Sequence, residues 1–171
     1  KVTGADTDTS TILALGTLDT DTTTVDASGF KGVLTMAAGT ATAMTVSANG
    51  KLANTITTST GSDTVTLAGN LGTSQQDISG GTGTLDVLNV NADNAATNMT
   101  DVDGFETINL TVKASTAVGM LNTVNGISGL NAAKTVNVTG GNSLSSFSNG
   151  TTGVIAVNTA ATTIDASAFQ G

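Results

Sequence analysis

The stretch DVDGFE (101–106) sets three carboxylates, Asp101, Asp103 and Glu106, around a single glycine. Ca²⁺ takes about six to eight hard oxygen ligands, so acidic side chains at alternate positions make this turn a candidate cation site. The same residues also read as a solvated acidic turn that opens the strand ETINLTV, with Phe105 plugging a core. Two further stretches raise the same question. GSDTV (61–65) carries Gly61, Asp63 and Val65 in the order of a nine-residue unit, Gly-Gly-x-Gly-x-Asp-x-apolar-x. In that unit backbone carbonyls and the aspartate converge on Ca²⁺ between stacked coils. GGTGTLDVL (80–88) has the glycines, but Leu85 stands where the aspartate should be and Asp86 follows one residue later. Asp63, Asp86, Asp101, Asp103 and Glu106 are thus the candidate metal ligands and Ca²⁺ the candidate ion. Ordinary glycine turns entering strands are the alternative at each place.

Other chemistry finds few carriers. Paired carboxylates can hydrolyse glycosides, but the chain has no His, Cys, Trp or Tyr, and its five basic residues are all Lys. The usual general base, the thiol nucleophile and the zinc ligands are absent together. The expectation is therefore no enzyme. Net charge −8 without Arg argues against a nucleic-acid partner. No apolar run is long enough to span a bilayer, so no membrane insertion is expected. The DTDT stretches at 6–9 and 19–22 read as a metal-facing row or as polar strand edges that discourage unwanted pairing.

The elements that would position these acids are short strands. Thr outnumbers every other residue, Pro is absent, and 38% of the chain is hydrophobic against 11% charged. Such a chain favours a pleated backbone, where branched side chains pack at little further entropic cost. Strands of one grammar recur: AMTVS (43–47), TVTLA (64–68), VLNVN (87–91), TINLT (107–111) and TVNVT (135–139). Alternation with period two marks a strand with one buried face.

The first inward positions make a ladder: Val25, Met44, Val65, Leu88, Ile108, Val136 and Ile155. A second runs through Leu34, Ile56, Ile78, Met99 or Val102, Leu121, Leu144 and Ile164. Steps of about 20 residues, with two strands per step, describe an all-β parallel β-solenoid in which each coil lies about 4.8 Å above the last. A β-sandwich, with strands every 8–12 residues, is the alternative. The chain reads as one solenoid segment, 1–171, with an insertion at 114–134 that could hold a short helix around 117–124. Thr-x-Thr pairs at 55–57 and 64–66 raise an ice-binding reading, but the outward position changes to Asn89, Asn109 and Asn137, which interrupts that array.

TTVDASGFKG (23–32) and TTIDASAFQG (162–171) differ at only three places. Together with VDGFETINLT (102–111) and GLNAAKTVNVT (129–139), they resemble the repetitive β-rich part of surface-layer (S-layer) and related RTX-type secreted proteins of Gram-negative bacteria. The resemblance implies an extracellular fragment of a much longer chain, exported by type I secretion and often Ca²⁺-binding. It also implies a cell-surface location and self-association with neighbouring copies into a lattice. Outward Asn and Thr ladders would supply the lateral contacts. A Ca²⁺-dependent adhesin or ligand-binding module, gripping a cell-surface polysaccharide or a partner protein, is the second expectation. Of the tandem Gly-Asp repeat, only Gly61, Asp63 and Val65 stand in register.

Overall fold

A computed structural model describes residues 11–19, 21–30, 32–38, 43–50, 52–68, 76–92, 97–98, 101–112, 124–125, 135–140, 163–165 and 167. Among these, strands form and helices do not. A five-stranded sheet has the order β1 (Ile12–Thr17), β3 (Val33–Ala37), β5 (Thr55–Thr57), β7 (Asp77–Ser79) and β10 (Asp101–Asp103). A seven-stranded sheet runs β14 (Thr163–Asp165), β13 (Thr135–Gly140), β11 (Thr107–Val112), β8 (Val87–Ala92), β6 (Thr64–Ala68), β4 (Thr45–Asn49) and β2 (Thr24–Asp26). A small third sheet pairs β12 (Val124–Asn125) with β9 (Thr97–Asn98).

Every described pair is parallel. Strands up to β8 alternate between the two large sheets, so the chain winds upward as a solenoid with coils about 20 residues apart. A sandwich needs antiparallel neighbours, and that alternative is excluded.

The register corrects both ladders. Val25 pairs with Val46, and the column continues through Val65, Leu88, Ile108, Val136 and Ile164. Val46 thus replaces Met44, although both are buried. In AMTVSAN three residues of one parity face inward, and apolarity alone does not choose the rung. Ile164 belongs to this sheet rather than to the other, so the TVD and TID strands of the two near-identical blocks, β2 and β14, lie on one wall of the solenoid; Ile155 lies outside the described residues. On the five-stranded sheet Met36, not Leu34, meets Ile56, followed by Ile78 and Val102. Val102 is therefore the rung there; Met99, Leu121 and Leu144 are outside the described residues. So is the segment 114–134, except for Val124–Asn125, which form a strand where a helix end was expected.

The core is a narrow slot between the two sheets. Leu34, Met36, Ile56, Ile78 and Val102 face Val46, Val65, Leu67, Leu88, Val90, Ile108 and Leu110, all buried. Phe30 and Phe105 close its corners, as expected for Phe105; Phe147 and Phe169 are outside the described residues. Corner backbones approach so closely that side chains are excluded. Gly81 has φ 78° and a Cβ there would sit on the carbonyl oxygen of Ser59 one coil below. Gly104, φ 73°, stacks against Gly81 in turn. Only glycine adopts this conformation without strain.

Leu88 is fully buried at the middle of the seven-stranded sheet, whereas Leu85, three residues earlier, is 69% exposed. Urea unfolding should show Leu88→Ala losing about 2–5 kcal/mol, the range for a buried leucine truncated in a close-packed core. Leu85→Ala should change little. Equal effects would contradict this packing.

Candidate functional site

A parallel coil sets each residue beside its equivalent one turn away, so polar residues align in rows. The first row occupies the position just before the strands of the seven-stranded sheet: Met44, Asp63, Asp86 and Glu106. The backbone links it, with Thr64 N–H donating to Met44 O (2.8 Å), Val87 N–H to Asp63 O (2.8 Å) and Thr107 N–H to Asp86 O (3.0 Å).

Each acid in this row reaches down one coil. Met44 N–H donates to Asp63 Oδ1 at 2.7 Å, Asp63 N–H to Asp86 Oδ1 at 2.7 Å, and Asp86 N–H to Glu106 Oε2 at 2.9 Å. Asp63 Oδ2 also accepts from Ser59 N–H (2.9 Å) and from the Ser59 hydroxyl (3.2 Å). Both Asp63 oxygens are thus occupied, which is why a carboxylate can lie wholly buried there. Asp86 is just as buried, yet its Oδ2 has no hydrogen-bond partner. Gly83 packs against that carboxylate: a Cβ on Gly83 would lie 2.6 Å from Oδ2.

The electrostatics follow. Burial above all, then the charges of Glu106 and Asp63, push the Asp86 carboxyl above the ordinary aspartate range, against the pull of the Asp63 N–H.

The second row, in the equivalent place before the strands of the five-stranded sheet, uses amides. Leu34 N–H donates to Asn54 Oδ1 (3.1 Å) and Asn54 N–H to Gln76 Oε1 (3.3 Å). Asn54 Nδ2 donates to the carbonyls of Asn49 (2.9 Å) and Leu52 (3.1 Å), and Gln76 Nε2 to those of Gly50 (3.3 Å) and Leu52. Sequence reasoning missed both residues. The signal was present: Asn54, Asp63, Gln76, Asp86 and Glu106 each stand immediately before a short alternating strand.

The third row faces outward on the seven-stranded sheet: Asp26, Ser47, Thr66, Asn89, Asn109, Asn137 and Asp165. Asn137 Nδ2 donates to Asn109 Oδ1, and Asn109 Nδ2 to Asn89 Oδ1, each at 2.8 Å; Asn89 Nδ2 donates to Thr66 Oγ1 at 3.1 Å. The terminal aspartates fold back on a serine two residues later, Ser28 N–H to Asp26 Oδ1 (3.2 Å) and Ser167 N–H to Asp165 Oδ1 (2.9 Å). The Ser167 hydroxyl and N–H hold the Asp165 carboxyl below its ordinary range. The repeated DAS motif thus closes the bend after each terminal strand with an aspartate-to-serine turn.

Of the five sequence-predicted ligands, Asp63, Asp86 and Glu106 therefore share one corner row. Asp101 and Asp103 lie apart on β10, where Asp101 pairs in register with Asp77 and Asp103 with Ser79. Asp103 is exposed. Among the described residues no three acidic side chains gather in a metal-holding group. The donor chemistry at the corner still suits a hard cation: Asp86 offers an unpartnered oxygen and Glu106 binds an N–H through only one of its two oxygens.

The fold puts the chain in the class of parallel β-solenoids, and no helix among the described residues is long and apolar enough to cross a membrane. Compared with known proteins, the chain matches no protein-family model, no curated protein and no solved structure.

The two buried aspartates should respond differently to amide replacement. Asp63→Asn turns an NH₂ toward an N–H donor and should cost about 1–3 kcal/mol. For Asp86, folding favours the neutral form. Its contribution is therefore greatest below the ordinary aspartate range and is lost as pH rises through the raised folded value. Asp86→Asn should flatten the dependence of melting temperature on pH in that window. An unchanged slope would assign the dependence to other groups.

Proposed function

We propose that the chain is a structural segment of an S-layer-like bacterial cell-surface protein, a β-rich rod that self-associates into an extracellular lattice. The observation that carries this reading is the continuity of the side-chain rows. Two buried corner rows and one outward row hydrogen-bond coil to coil along the stack. Such a molecule is cross-linked along its axis at several points per coil, as a load-bearing surface unit needs. The resemblance of its repeated blocks to S-layer and RTX-type sequences supports extracellular location and type I secretion.

Ca²⁺ is proposed as a stabilising ion, held at the corner row by Asp86 with Glu106. A cation there would neutralise the buried oxygen that nothing else satisfies. A Ca²⁺-dependent adhesin is the second reading, favoured by the five-stranded sheet. Parallel pairing sets Asp101 level with Asp77, with Asp103 two residues along on the same strand. Like charges on adjacent rungs repel, and a divalent ion bridging to an acidic or glycan ligand relieves that repulsion.

Melting in Ca²⁺ and in chelator separates the sites. Saturation at about 100 times Kd adds roughly 2.7 kcal/mol, a shift of several degrees for a chain of this size. Loss of the shift in Asp86→Asn places the ion at the corner; loss in Asp103→Asn places it on β10. No shift in the wild type removes Ca²⁺ from the proposal. Electron microscopy of cells carrying the full-length protein tests the lattice, where a periodic array is expected and scattered fibrils favour the adhesin.

A further inference from the structure

The seven-stranded sheet has an outward face of Thr and Asn that is nearly free of charge. Beside the Asn row runs a column of Thr24, Thr45, Thr64, Val87, Thr107, Thr135 and Thr163, threonine on six of its seven rungs. Beyond the Asn row, Thr111 meets Thr139, their hydroxyls 3.3 Å apart. All of these side chains are exposed or half-buried, so the face is open. Across the three columns the only charged residues are Asp26 and Asp165, on the first and last rungs.

The chain around this face is acidic, with net charge −8. Two copies repel wherever their acids meet, and the outward face of the five-stranded sheet carries Asp77 and Asp103. Close approach is electrostatically cheapest through the one wall whose interior is neutral. That wall offers donors and acceptors together: threonine hydroxyls and asparagine amides each do both, so they can bond to a copy of themselves. It carries no aromatic ring to stack on a sugar and no cation to hold a phosphate.

We propose that this outward face of the seven-stranded sheet is the surface through which the chain packs against a second copy of itself, face to face. The inference rests on the self-association reading above and names its interface. Its size sets its strength. Seven rungs at about 4.8 Å and five residues at about 3.3 Å cover roughly 500 Å² per copy, below the roughly 800 Å² per partner of a standard stable complex. The contact is therefore weak in isolation and gains strength where many copies are held side by side. An isologous contact closes into a pair, so it supplies one of the two kinds of contact a lattice requires.

Sedimentation of the whole chain over a wide concentration range tests the proposal, with melting curves confirming that each variant folds. Wild type should associate reversibly. Thr45→Glu and Thr107→Glu, which put a like charge into the neutral wall, should each weaken association at least tenfold. Thr57→Glu, exposed on the other sheet, should leave it unchanged. Association that survives both wall variants, or falls equally in Thr57→Glu, overturns the surface assignment and leaves self-association standing. A wild type that stays monomeric at every concentration overturns both. Retention on a neutral polysaccharide that Thr45→Glu abolishes, without self-association, gives the wall to a glycan and also overturns the proposal.

Discussion

The structure depends on one constraint: each coil hydrogen-bonds in parallel register to the next, about 4.8 Å away, so every residue must tolerate its own counterpart as a neighbour. Apolar residues do this without cost, and the inward columns are mostly Val, Leu and Ile, with Met36, Met44 and Ala48 among them. Threonine does it through a hydroxyl that both donates and accepts. Asparagine gains from it, since each amide donates to the carbonyl oxygen of the next, as from Asn137 to Asn109 to Asn89. Carboxylates do so only at a cost, because two acceptors face each other at short range, as where Asp101 pairs in register with Asp77. The composition follows from this, with many Thr and Asn and few charges.

The corner row shows how acids are admitted despite the rule. The N–H groups of Met44, Asn54, Asp63 and Asp86, each just before a strand, and of Leu34 at the start of β3 point along the stack, and a side-chain oxygen from the next coil takes each. Asp63, Asp86 and Glu106 do this on one wall, and Asn54 and Gln76 on the other. The side chain thereby extends the backbone ladder one residue past the strand and ties the turn to its neighbour. Short strands of three residues, such as β5 and β7, need such ties, because their own ladders are brief.

Period, parallel winding and the inward face were legible because alternation and a step of about 20 residues leave few other folds. The rung was not, since Met44, Val46 and Ala48 share a face and only the backbone decides which of them meets Val65. The repeated TTVDAS and TTIDAS blocks held the answer: equal sequence demands equal position, and both strands do lie on the seven-stranded sheet. Among site residues, acids drew notice because oxygen suggests metal. In Asp63 those oxygens are spent on N–H groups, a use that depends on where the coil below ends and is invisible without register. Asn54 and Gln76 passed unnoticed because a neutral amide suggests no metal, although they stand in the same place before a strand and do the work of the aspartates.

The exception is where the constraint becomes informative. Asp63 is balanced because Ser59 supplies the N–H and hydroxyl that its second oxygen needs. The residue four before Asp86 is Thr82, and its N–H donates to Ser59 O at 3.3 Å instead. Asp86 Oδ2 is left bare, with Gly83 packed against it. A buried bare oxygen between two other acids favours the protonated carboxyl, which is why Asp86 titrates above the ordinary aspartate range. Tight stacking at this corner thus ties the solenoid's stability to pH, a dependence that the threonine and asparagine rows do not share.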